Sequence, residues 1–164
     1  MQTTDGPVGV ALFRAAVGRD WVWAQIGDGV SGMDRRALDE ALLKHNGWAR
    51  GHTSGMRASF AHGDLRGLDL SWTDLRDADF TEANLTGANL SGADLSRATF
   101  AGAFLKNASL RCANLEGANF SNTDLQGTDL REAIIKDTDF WRANFRGCII
   151  SPEALHAAMQ CSRG

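Results

Sequence analysis

The chain has 164 residues, a formal net charge of −3 and 23% charged side chains. That is enough for one domain with its own core, and too nearly neutral to imply attraction to nucleic acid or a strongly anionic body. Three cysteines without paired spacing argue against a disulfide framework and fit a reducing, cytoplasmic setting. No apolar run approaches the roughly eighteen residues of a membrane span. Asp5, with no basic residue ahead of it, is a poor opening for a secretory signal.

In chain order, Gln2 to Pro7 is polar and reads as frayed. Val8–Val17 is apolar enough to pack as a short helix. Trp21 to Ile26 reads either as a strand with Trp21, Trp23 and Gln25 on one face or as more helix. Gly27, Gly29 and Gly32 mark a loop. Met33–His45 is the clearest helix, with Ser31 or Asp34 as N-cap and Ala37, Leu38, Ala41, Leu42 and His45 as its apolar face. Asn46-Gly47 is the expected stop, because both residues tolerate positive φ. Trp48 and a connector to Gly55 follow. Residues 1–57 are therefore expected to form a mainly helical cap on what comes next. A separate binding module built on Trp21, Trp23 and Trp48 is the alternative.

From 58 to 150 a five-residue period takes over. A Leu, Phe or Ile occupies every fifth position from Phe60 to Ile150. Two residues before each stands a small residue, usually Ala or Thr; between them stands Asp or Asn in most repeats. Phe60, Phe80, Phe100, Phe120 and Phe140 recur every twenty residues, so a coil of four repeats would stack the five rings in one column. Such a coil is an all-β solenoid whose turns pair as parallel strands about 4.8 Å apart. Its predicted core includes that column together with Leu85, Leu90, Leu95, Leu115 and Leu125. Ala at the second inward position suits a narrow tube; Leu68 is the one bulky exception. Thr73, Thr123, Thr128 and Thr138 need backbone acceptors for their hydroxyls. The Asp and Asn residues are placed to bond turn amides. Gly67, Gly87, Gly127 and Gly147, with Asn107 among them, mark one edge expected to need positive φ.

The last segment, 151–164, opens with Ser151-Pro152-Glu153, a helix start. Ala154, Leu155, Ala158 and Met159 make a short apolar stripe. It either folds over the last coil or meets its copy in a second chain, giving a monomer or a homodimer through that end.

Residues with chemistry are few. His45, His52, His62 and His156 lack metal-ligand spacing. Cys148 falls at an inward position. Cys112 should point outward, without a His beside it for nucleophilic work. No catalytic, cofactor-binding or metal residue is assigned, and an enzyme is not expected. The period places Arg66, Lys106 and Arg146 on one side, Arg111 and Arg131 on the next, Asp74 and Asp94 on another, and Asp79 and Asp139 on the fourth. Trp72, Phe104 and Trp141 fall at outward positions and form the candidate partner surface.

Ala83-Asn84-Leu85-Thr86-Gly87 and Ala93-Asp94-Leu95-Ser96-Arg97 fit the motif A(D/N)LXX, so residues 58–150 resemble the pentapeptide repeat family. The resemblance implies a right-handed quadrilateral parallel β-helix. Leu38 to Trp48, with Leu42, Leu43 and His45, is also similar to a Leu–His–Trp segment placed before such repeats. The functional expectation is a non-enzymatic scaffold for an unidentified protein partner, with no direct nucleic-acid or membrane contact. Some members of the family resemble a DNA duplex and bind DNA gyrase or topoisomerase IV, so a topoisomerase is the alternative partner. The mixed charge, with nine basic and thirteen acidic residues in the repeats, counts against that alternative.

Overall fold

The computed structural model describes residues 12–17, 20–25 and 35–160. Two strands, β1 (Leu12–Val17) and β2 (Asp20–Gln25), pair antiparallel, with Arg14 opposite Trp23 and Ala16 opposite Trp21. This corrects the helix expected within Val8–Val17. Val and Trp favour extended backbone. Among the described residues of the N-terminal segment, this strand pair precedes the expected helix. The expected N-caps Ser31 and Asp34, the loop glycines and Cys161 lie outside the described residues.

Helix α1 spans Arg35–Ala49 and runs through Asn46-Gly47, the expected stop. The reason lies downstream. Trp48 stays helical and stacks on His45, with ring centroids 5.5 Å apart. The chain turns at Gly51 (φ 77°), where the Gly51 and His52 amides donate to the Trp48 and Gly47 carbonyls at 2.9 Å. The predicted apolar face is the buried one: Leu38 and His45 are buried, and Ala41 and Leu42 pack against the core.

From Ser59 to Ile149 the chain winds in coils of twenty residues joined by parallel bridges, residue n to residue n+20 throughout. Side one carries the Phe column. Side two carries Leu65, Leu85, Leu105, Leu125 and Phe145; side three runs from Leu70 to Ile150 and side four from Leu75 to Ile135. The central residues donate forward and their predecessors backward. Phe100 N–H donates to Asn119 O at 2.7 Å, and Asn119 N–H returns to Ala98 O at 2.9 Å. The backbone is thereby satisfied coil to coil, as burial requires.

All ten predicted core residues are buried, and successive Phe rings stack at 5.1, 4.7, 4.5 and 5.4 Å between centroids. Thr123, Thr128 and Thr138 hydroxyls donate to carbonyls of the preceding coil (Phe100, Leu105 and Leu115) at 2.7–2.8 Å. Thr73 donates within its own turn to Leu70 O at 2.6 Å. Leu68 is only half-buried; it lies in the first coil, where no earlier coil hems it in.

Positive φ is not confined to one edge. Eighteen corner residues, the second after each central one from His62 to Gly147, have φ between 55° and 69°. Each corner is a tight turn, as where Ala103 N–H donates to Phe100 O at 2.9 Å. Closing it sets the left-handed conformation whatever the side chain, so Gly relieves a strain that eleven other residues bear.

Helix α2 (Pro152–Gln160) follows the last coil. Ser151 is its N-cap: Oγ accepts from Ala154 N–H at 3.1 Å. Ala158 is buried and Ala154 partly so, both against the core.

Candidate interaction surface

Outward positions stack in columns that repeat every twenty residues. The residue before each central one is usually Asp or Asn, and its side-chain oxygen accepts the amide two residues on. Examples are Asn84 from Thr86, Asp94 from Ser96 and Asp124 from Gln126, all at 3.1 Å. This oxygen closes the corner locally, as an Asx turn does. Ser59, Thr99 and Ser109 depart from the pattern but stay polar; Phe104, Ile134 and Ile149 replace it with apolar side chains. They are 51%, 53% and 48% exposed, so they give up the turn bond without gaining burial. The repeat alone singles out Ile134 and Ile149, since each breaks the Asp/Asn column; a search for exposed aromatics passes over them.

The three predicted surface residues are all exposed, but they stand on different columns. Phe104 lies on side two. Trp141 lies beyond Phe140 on side one, with the Arg142 guanidinium 4.4 Å from its ring centroid. Trp72 sits at the corner after side three with φ 58°. Its ring lies over the neighbouring coil's Gly92, where a Cβ would collide with it. Gly92 therefore makes room for Trp72, and the two form a corner packing unit.

Charges on the coil are mostly paired. Arg66 with Asp64, Arg76 with Asp74 and Arg131 with Asp129 bond across a single repeat at 2.6–2.7 Å. Arg97 pairs with Asp77, Arg111 with Glu132 and Lys136 with Glu116 between coils. Bonds from the neighbouring guanidinium hold the Asp64, Asp74 and Asp129 carboxyls below the usual carboxylate range.

The groups with reactive potential are placed as follows. Cys112 is exposed beside Glu132, whose carboxylate raises its pKa. Burial pushes the Cys148 thiol up to about 11, an inert protonated state at neutral pH. His45 is fully buried, and its Nδ1 accepts the Ala58 N–H at 3.0 Å. Its Nε2 is buried without a hydrogen-bond partner. Among the described residues, no group of three or more His, Cys, Asp or Glu side chains is placed to hold a metal ion. No described helix is long and apolar enough to cross a membrane.

The family model for pentapeptide repeats matches in eight copies, over residues 56–92, 88–127 and 113–151. No curated protein matches the chain. Similar solved structures include a pentapeptide repeat protein from the cyanobacterium Cyanothece 51142, at 30% identity over 58% of this chain and 62% of that one, with a TM-score of 0.33. A pentapeptide repeat protein from the Arabidopsis thaliana thylakoid lumen is 31% identical over 53% of this chain and 57% of that one, with a TM-score of 0.35. Trypsin-treated QnrB1, a plasmid-mediated fluoroquinolone resistance protein, is 18% identical over 63% of this chain and 61% of that one, with a TM-score of 0.38. The chain spans 57–62% of the length of these structures. The five-residue period, the four-sided coil it builds and a family match over more than half the sequence agree: this chain belongs to the pentapeptide repeat family, whose members are right-handed quadrilateral β-helices.

Proposed function

We propose that the protein is a non-enzymatic interaction scaffold. The observation that carries this reading is the outward Asp/Asn column, where exposed apolar residues replace turn-closing ones at Phe104, Ile134 and Ile149. Those residues give up the turn bond and stay about half exposed, and partner contact supplies the missing reason. The coil itself is rigid because each repeat is bonded to the coils before and after it. In this reading α1 covers the first coil through Leu38, Leu42 and His45, and α2 covers the last through Ala154 and Ala158. Coverage by α2 favours a monomer over a homodimer through that end. The test is affinity capture from the native host. A partner retained by the wild type and lost on combined substitution of Phe104, Ile134 and Ile149 by Asn supports the reading. A partner unaffected by those changes removes this surface, and no partner at all removes the scaffold.

The topoisomerase alternative asks for a continuous acidic face. Ion pairs such as Arg66–Asp64, Arg76–Asp74 and Arg131–Asp129 neutralise the acids where they stand, which argues against it. Gyrase supercoiling with the protein titrated in should be unchanged, with and without a quinolone. Inhibition or protection at low micromolar protein would reverse that preference.

A further inference from the structure

Among the described residues, the repeat cations with neither an ion pair nor a ring contact stand on side two. Within residues 58–150, Arg66, Arg76, Arg97, Arg111, Arg131 and Lys136 are ion-paired, and Arg142 lies over Trp141. Among the described residues, Lys106 and Arg146 have no such contact. Both are exposed and stand in the same outward column, two coils apart, with Gln126 between them. Two coils place their backbones about 10 Å apart. Phe104, two residues before Lys106, interrupts the column Asp64, Asn84, Phe104, Asp124, Asn144. Of the acids in that column, Asp64 is bound to Arg66, and Asp124 accepts from Gln126 N–H at 3.1 Å and from Asn144 Nδ2 at 2.9 Å.

We infer that side two, through Phe104, Lys106 and Arg146, docks an acidic protein segment that presents two carboxylates about 10 Å apart around an apolar or aromatic side chain. This deepens the scaffold reading and rests on it. Aromatic and arginine side chains are over-represented in the cores of interfaces, and here Phe104 stands two residues from Lys106, with Arg146 two coils further along the same side. The two cations gain most from an anionic partner because no carboxylate among the described residues has to be displaced. Their spacing is that of carboxylates about three residues apart on a polyproline II segment or about seven apart on a helix. Steering by these charges makes the on-rate salt-dependent.

The test uses the full chain and fluorescence polarisation. The probes are labelled poly-glutamate and a labelled random copolymer of glutamate and tyrosine, at low salt. The copolymer should bind the wild type more tightly than poly-glutamate does. Lys106→Glu with Arg146→Glu should weaken copolymer binding by about tenfold or more. Arg111→Glu with Arg131→Glu changes net charge equally on side three and should weaken it less than about threefold. Phe104→Asn should abolish the advantage of the copolymer over poly-glutamate. Equal losses from the two charge-reversal pairs would mean that net charge alone binds the polymer, and the surface would fall. A labelled DNA duplex that binds through Lys106 and Arg146 more tightly than the copolymer would also overturn the assignment, in favour of nucleic acid. If a partner captured from the host is held equally by the Lys106/Arg146 double variant, this surface fails while the scaffold reading stands.

Discussion

Two columns of the same coil, one inside and one outside, obey different rules. The inner column of side one is Phe60, Phe80, Phe100, Phe120 and Phe140, buried and stacked without an exception. The outer column of side two, Asp64, Asn84, Phe104, Asp124 and Asn144, admits a Phe that is half exposed. Inside, Phe80, Phe100 and Phe120 each lie between two other rings, and a gap has nothing to fill it. Outside, the corner is already closed by backbone hydrogen bonds, and the Asp or Asn oxygen adds only a local bond. The inner column therefore reports what the fold demands, and exceptions in the outer one report demands from elsewhere.

Removing a ring from the inner column is the strongest attack on this contrast. Phe100→Ala should cost about 3–5 kcal/mol, because coils hydrogen-bonded on both sides cannot collapse into the cavity. An unchanged melting temperature would break the ring-stack account. Thr123→Val tests the inner position two residues before a central one. Its hydroxyl meets Phe100 O at 2.8 Å in a buried setting, so the loss should be about 1 kcal/mol by urea unfolding.

The junction between α1 and the first coil extends the contrast to pH. Burial lowers the pKa of His45 in the folded state below the ordinary value of about 6.5. Asp74 and Asp77 nearby raise it, while Arg76 and Arg57 lower it; burial outweighs them all. Because Nδ1 accepts from Ala58, the proton sits on Nε2, and a second proton would destroy that bond. The unfolded chain then binds the proton more readily than the folded one. The contribution is fully present above about pH 6.5 and is lost as pH falls from there toward the lowered folded value. Melting temperature should drop over that interval in the wild type and less steeply in His45→Gln. The carboxylates bonded to Arg are themselves held below the usual carboxylate range, and His45→Gln isolates the share of the histidine. A wild-type curve flat between about pH 7 and 5 would contradict a neutral, buried His45.

The smallest expected effect is the most discriminating. Phe104→Asn restores the column and offers Lys106 N–H the oxygen that Asn84 gives Thr86. Stability should change by less than about 0.5 kcal/mol, in either direction. A loss above about 1 kcal/mol would make Phe104 structural and remove the reason to read it as a contact residue.

Residues 58–150 are legible in detail. The spacing of twenty between Phe residues sets the number of sides, and the Ala and Thr positions set the width of the tube. The N-terminal segment is not legible in that way. Leu12–Val17 is a mostly apolar run that fits helix and strand alike, and pairing with Asp20–Gln25 decides between them. Asn46-Gly47 looks like a helix stop, yet Trp48 gains its stack on His45 by staying helical. The candidate surface is half legible. Period twenty puts Arg66, Lys106 and Arg146 in one column, but does not say which of the three has a partner. That depends on Asp64 reaching Arg66 across its own repeat, while no carboxylate among the described residues reaches the other two.

By itself the sequence determined the repeat, the inward and outward assignment and the stacked column, because a side chain's direction in a regular coil follows from its position in the period. Tertiary structure alone decided the hairpin, the burial of His45 against Ala58, left-handed backbone at every corner and which charges remain unpaired. Each of these depends on distances between residues that no local period relates, or on a turn closing in space.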